Sequence, residues 1–274
     1  MPFSHPFNHL GLPNAIARCA AGEIQSPLIT FEAPAQWYGH PPALIPIWSD
    51  GSGPTYIGLW RHWFFDRKST FVKMYVGSAR TTVEVARTSE QLFSLIAMMS
   101  ISERDGIVPE LETFAAAVGI QNLAQIDLVS LNSGDDPRGF IQIDQFVSET
   151  PAESTVDPGE YDGDFPTTSF NKSKPWWENA CSFEISPDLL VAWPPDVAKP
   201  GWLENSSMRM HELFDNYLNA GDLRNAWLTL NSSGWTIGEA RTAISKLRPR
   251  SGDRQFGLLA DSWLAVADES AGGY

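Results

Sequence analysis

The groups through which this chain could do bond-making chemistry are its five histidines, two cysteines and its carboxylates. His5, His9, His40, His62 and His211 fall into no metal-ligand spacing, and Cys19 and Cys181 are far apart and in no ligand spacing either; a structural disulfide between them is disfavoured in a reducing compartment. Two buried thiols are the simpler reading. No His-Glu-x-x-His, P-loop or dinucleotide glycine pattern occurs, and "DGSGP" lacks the glycine two residues before the serine that a nucleophile elbow requires. His62, set between Trp60 and Trp63 on an expected strand, has the chemistry of a general base, but a hydrogen-bonded histidine on a sheet is favoured.

Two arrangements of carboxylates are worth stating. Trp60, Trp63, Trp176 or Trp177 could stack sugar rings while two of Asp50, Glu84, Asp162 and Asp164 share acid and base work. The run "DPGEYDGD" could gather Ca²⁺, although its spacing fails the EF-hand pattern and a solvated acidic loop is favoured. No pair of acids stands out. The chain therefore reads as a non-enzyme with no catalytic residue, no metal and no cofactor. A carbohydrate-active hydrolase or sugar-binding protein with a Trp-lined cleft is the alternative.

Charge and aromatic content point towards binding. The formal net charge is −14 over 274 residues. From Gly139 to Asn171 there is no Lys or Arg, while Asp144, Glu149, Glu153, Asp157, Glu160, Asp162 and Asp164 all fall there, seven acids against that total. Such a field repels phosphate backbones and draws in a basic protein. Eleven tryptophans exceed ordinary usage about threefold. Indoles anchor binding hot spots as well as cores.

The elements that must position these groups are partly legible. Residues 1 to 43 are proline-rich and weakly periodic, with "SPLITFEAP" a short strand and "PAQWYG" a turn of helix anchored by Trp37 and Tyr38. A β-meander follows: Leu44–Trp48, an Asp50–Pro54 turn, Thr55–Phe65, "TFVKMYVG" and "TTVEVA". By alternation Trp60 and His62 share one face of the Thr55–Phe65 strand and Trp63 the other, one face core and the other contact surface. Thr88 or Ser89 caps a helix over "TSEQLFSLIAMM", and Pro109 and Gly119 bracket "PELETFAAAVG". "LAQIDLVSL" fits helix or strand, and "GFIQIDQFV" reads as a strand with Ile141 and Ile143 on one face. Thr150 to Pro175 has linker or loop composition, and the Trp-rich stretches "KPWWENACSFEI" and "LLVAWPPDVAKPGW" read as extended. Four helices close the chain: Met210 to Leu218, one begun by Asp222, one behind a Thr236–Glu239 capping box, and a last one over "SGDRQFGLLADSWLAVAD".

"ALIPIWSDGSGPTYIGL", then "FVKMYV", then "TVEVARTSEQLFSLIAMM" resembles the SUKH superfamily, whose members carry a "LPI–small–Asp–Gly–Gly/Ser–Gly" turn between two strands. A later strand in that family runs into a Ser-acid-x-Phe/Leu-Phe helix, here Ser89-Glu90-Gln91-Leu92-Phe93. The likeness covers roughly residues 35 to 100. Pro54-Thr55 stands where the family has Gly-Asp, and a proline-rich segment stands where it opens with a helix. The resemblance implies an α+β domain with a curved antiparallel sheet. It also implies a bacterial immunity protein that neutralises a cognate secreted toxin by binding it.

The expected architecture is a SUKH-like α+β domain over 1–148, an acidic linker or loop over 149–175, and a Trp-rich extended segment with C-terminal helices over 176–274. The expected partner is a basic toxin protein, blocked by Asp50, Ser52, Tyr56, Trp60, His62 and Trp63 together with Glu149, Glu153, Asp157, Glu160, Asp162 and Asp164. Neither nucleic acid nor membrane is an expected partner. The start of the chain lacks the basic-then-apolar order of a signal peptide, so a soluble cytoplasmic protein is expected. A helical adaptor using the C-terminal helices is a further alternative.

Overall fold

A computed structural model describes residues 6–34, 39–51, 55–76, 81–134, 136–165 and 209–274, and it has an α+β fold. The four strands of the expected meander are present and, with the short strand inside "SPLITFEAP", form one five-stranded antiparallel sheet in sequential order. Its strands are β1 (Phe31–Glu32), β2 (Leu44–Asp50), β3 (Thr55–Trp60), β4 (Thr70–Tyr75) and β5 (Thr82–Ala86). A Cβ on Gly58 would sit 2.5 Å from the carbonyl oxygen of Ile45, so only glycine allows β2 and β3 to close at that point. Register shifts between Pro46 and Trp48 and between Phe71 and Val72 add local twist.

Helix α1 (Asn14–Ala20) precedes the sheet and packs on β2, behind Pro13. The proline-rich start therefore does contain a helix, one that its weak periodicity hides. Its Cys19 is buried, and burial pushes the thiol up to about 12. Cys181, Trp37, Tyr38, Trp176 and Trp177 lie outside the described residues.

After β5 the Thr88 hydroxyl accepts from the Gln91 amide and starts α2 (Ser89–Arg104). Next come α3 (Pro109–Val118), closed by Gly119 in the left-handed region, and α4 (Leu123–Ser133). The ambiguous "LAQIDLVSL" is thus helical. "GFIQIDQFV" is not a strand: it forms two 3-10 turns, Pro137–Gln142 and Asp144–Phe146. The spacing of three between Phe140, Ile143 and Phe146 buries all of them, while Ile141 points outward.

The four C-terminal helices are α5 (Met210–Asn219), α6 (Leu223–Leu230), α7 (Ile237–Ser251) and α8 (Arg254–Val266). The Asp222 carboxylate caps α6, and the capping box between Thr236 and Glu239 is formed in full.

Both faces of the central strands are covered. Trp48 and its cross-strand partner Ile57 lie on the side of α3, where the indole meets Phe114 with centroids 6.5 Å apart. Tyr56 and Trp60 take the other side, where their rings meet His40 and His62. There the C-terminal helices close over the sheet. Trp63 packs edge-on against Trp227 of α6 and Phe256 of α8, at 5.8 and 5.6 Å. The Asn231 side chain accepts from the Ala43 amide at 2.6 Å, and the Trp263 indole donates to the His40 carbonyl at 3.0 Å. A single apolar cluster runs through both halves of the chain.

Candidate functional site

The ring-bearing part of the expected contact surface is interior. Tyr56, Trp60, His62 and Trp63 are all buried. The strand ends at Trp60, not Phe65, so the alternation argument does not reach His62 or Trp63. Phe64 adopts a left-handed backbone (φ 73°) and turns the chain so that Trp63 and Phe64 both meet Trp227. His62 is held by its two ring nitrogens: the Trp227 indole donates to Nδ1 at 2.9 Å, and the Arg67 guanidinium lies 2.9 Å from Nε2. It is a buried structural histidine. Asp50 closes β2 with its side chain half-buried, and Ser52 lies outside the described residues.

The acidic segment tells a different story. Within 149–165 it folds back on the edge strand β5 through two 3-10 turns, Ala152–Ser154 and Pro158–Glu160. Glu84 organises this contact. It stands alone among apolar neighbours in "TVEVA", and its carboxylate is almost fully buried. Oε2 accepts from the Thr70 hydroxyl at 2.6 Å, and Oε1 accepts from the Ala152 amide and the Tyr161 hydroxyl, each at 3.0 Å. Burial raises the Glu84 pKa, against the opposing pull of Thr70, Arg87, Ala152 and Tyr161. Burial, then the Glu84 charge, likewise push the Tyr161 phenol up. The same phenol oxygen accepts from the Phe165 amide at 3.1 Å, and the Tyr161 and Phe165 rings are buried.

Arg87 is the second anchor. Its side chain is 8% exposed and bonds to the Asp162 carboxylate, with Glu149 at 3.9 Å. The Arg87 hydrogen bond is the main cause that lowers the Asp162 pKa. Lys68 adds a weak pair to Glu149 at 3.7 Å, and its amide donates to Asp164 at 3.2 Å. Between these anchors the segment leaves Asp157, Glu160, Asp162 and Asp164 exposed, with Asp162 at 72%. Asp157 spends one oxygen on the Gly159 amide, which sets the second turn. Glu153 faces elsewhere, into an apolar groove beneath α2.

No protein family, curated protein or solved structure matches this chain. What the arrangement can do is thus read from geometry alone. The cavity beside Glu84 is about 20 Å³, room for a water-sized group and not a sugar ring. Glu84, Thr70, Tyr161 and Arg87 form a clamp, and the product of the clamp is a carboxylate-bearing surface fixed to a sheet edge. In the sequence Glu84 stands out only as a candidate hydrolase acid, and neither Arg87 nor Tyr161 stands out at all. The available signal was a lone acid inside an apolar strand, which demands buried donors from somewhere else in the chain.

Proposed function

We propose that the protein is a non-enzymatic immunity protein that binds and neutralises a cognate, basic secreted toxin inside the producing bacterium. The observation that carries this reading is the clamp just described. Glu84 and Arg87 hold residues 149–165 against β5, so that Asp157, Glu160, Asp162 and Asp164 form a pre-positioned acidic face. Carboxylates held in place lose less side-chain entropy on meeting a cationic partner than the same groups on a free loop. Opposite charge steers the encounter, and blockage of the toxin's own positive surface is the mechanism. Trp60 and Trp63 take no part in this contact, because those indoles are buried in the core. Among the described residues no helix is long and apolar enough to cross a membrane.

The test is protection. Cells producing a candidate toxin encoded by a neighbouring gene should survive when the wild-type chain is co-expressed. A variant carrying Asp157→Asn, Glu160→Lys and Asp164→Asn, which keeps oxygens to accept from the Gly159 and Lys68 amides and keeps Asp162 to hold Arg87, fails to protect while melting near the wild-type temperature. Full protection by that variant removes the acidic face from the mechanism. Turnover of a small substrate that depends on one carboxylate would replace the proposal with the hydrolase reading.

A further inference from the structure

Beneath α2 lies a cavity of about 340 Å³, on the sheet face opposite Glu84 and apart from the acidic face. Its walls are mainly apolar, built from Val85 of β5, Leu95, Met98 and Met99 of α2, and Phe140 of the first 3-10 turn after α4. Two opposite charges line the same space: Lys73 of β4 and Glu153 of the acidic segment. Glu153 reaches it because its neighbour Ala152 is tied by its amide to Glu84, which folds the chain around the edge of β5. No hydrogen bond or ion pair joins Lys73 to Glu153, and neither head group is hydrogen-bonded to another described residue. The Lys73 ammonium only rests 5.3 Å from the centre of the Tyr75 ring. A third ionisable wall residue, Glu103, is committed, since its carboxylate accepts from the Ile29 amide at 2.9 Å.

Charges brought against apolar walls without direct partners cost solvation free energy, and a ligand that pairs with both recovers it. The volume sits at the small end of ligand pockets, roughly 300–1,000 Å³. Methionines give such a wall an adaptable, polarisable surface. We infer that this groove binds a free apolar amino acid, with its ammonium on Glu153, its carboxylate on Lys73 and its side chain against Leu95, Met98, Met99 and Phe140. Burial also pushes Glu153 up to about 7, with Lys73 opposing, so an arriving ammonium meets a carboxylate that gains from being paired. The inference does not rest on the toxin-binding reading.

The full-length chain, labelled at its methionine methyl groups, is titrated with L-leucine, L-methionine and L-phenylalanine and followed by NMR. Met98→Leu and Met99→Leu assign the two signals among the six methionines. Parallel titrations use leucinamide, which lacks the carboxylate, and 4-methylpentanoate, which lacks the ammonium. The expected result is a saturable shift of both methyls with at least one amino acid. Each single-charge analogue of leucine then binds about tenfold or more weakly than leucine itself, the worth of one charge-assisted hydrogen bond. Glu153→Gln should erase the preference over 4-methylpentanoate, and Lys73→Met the preference over leucinamide. No saturable shift with any of the three amino acids overturns the inference. Equal affinity for leucine and both its analogues overturns it as well, and neither result depends on whether the variants fold.

Discussion

The Tyr161 hydroxyl donates to Oε1 of Glu84 across 3.0 Å, joining an acidic loop to the edge strand of the sheet 77 positions earlier in the chain. An edge strand exposes unpaired backbone groups and invites pairing with another chain. Here the loop covers that edge, so one contact both protects β5 and fixes the acidic face.

Removing the organising carboxylate should be costly. Glu84→Ala leaves the Tyr161 hydroxyl and the Ala152 amide buried without their acceptor, and it removes the Thr70 hydroxyl's carboxylate partner as well. The expected loss is about 3–5 kcal/mol in denaturant titration. Glu84→Gln keeps an acceptor and should cost less than half as much. A Glu84→Ala loss under about 1 kcal/mol would show that the clamp is not structural.

Tyr161→Phe isolates one bond of the clamp. It should cost roughly 1–3 kcal/mol, because Glu84 loses a donor and the buried Phe165 amide loses its acceptor. Amide exchange within 149–165 should accelerate while the strands β2 and β3 keep their protection. Uniform acceleration over the whole chain would count against a locally detachable loop.

Trp227 links the chain's two halves through its ring contacts with Trp63 and its indole bond to His62. Trp227→Ala should destabilise by about 3–5 kcal/mol. Trp227→Phe, which keeps an aromatic ring but deletes the donor, should cost less; the difference between the two variants reports ring packing, because both lack the indole bond to His62.

The pH dependence follows from Glu153. Its carboxyl is raised from 4.5 to about 7 by burial, with Lys73 opposing and Glu103 on the same groove wall. The folded state therefore holds the proton more tightly than the unfolded state. Stability from this group is fully present below pH 4.5 and is lost as pH rises through 7. Glu153→Gln should match wild type near pH 4 and exceed it by about 2 kcal/mol near pH 8, allowing for partial exposure. Equal pH profiles for the two proteins would show that Glu153 is solvated.

Local signals were the legible ones. Thr88, Pro109, Gly119, Asp222 and the Thr236–Glu239 box mark helix ends by short-range hydrogen bonds or backbone preference, and each sits where expected. The meander was legible because apolar runs alternate with polar turns. "GFIQIDQFV" misleads because Ile141 and Ile143 mimic a period of two, while burial follows the period of three through Phe140, Ile143 and Phe146. The fate of the rings was not legible, because whether β3 buries one face or two depends on helices more than 150 residues later. The clamp was hidden for the same reason. Nothing near Glu84 in sequence announces that Ala152 and Tyr161 will be its donors.

The edge-to-face stack of Trp63 and Phe64 on Trp227 and Phe256 sets an order of events during synthesis. As the nascent chain leaves the ribosome, the sheet and α2 can assemble first, but these rings stay wet until the final quarter of the polypeptide emerges. At roughly 5–20 residues per second, that delay lasts on the order of ten to forty seconds. During it the growing chain presents an aromatic patch that chaperones would recognise, so truncation within α6 should yield aggregates and not a shorter soluble protein.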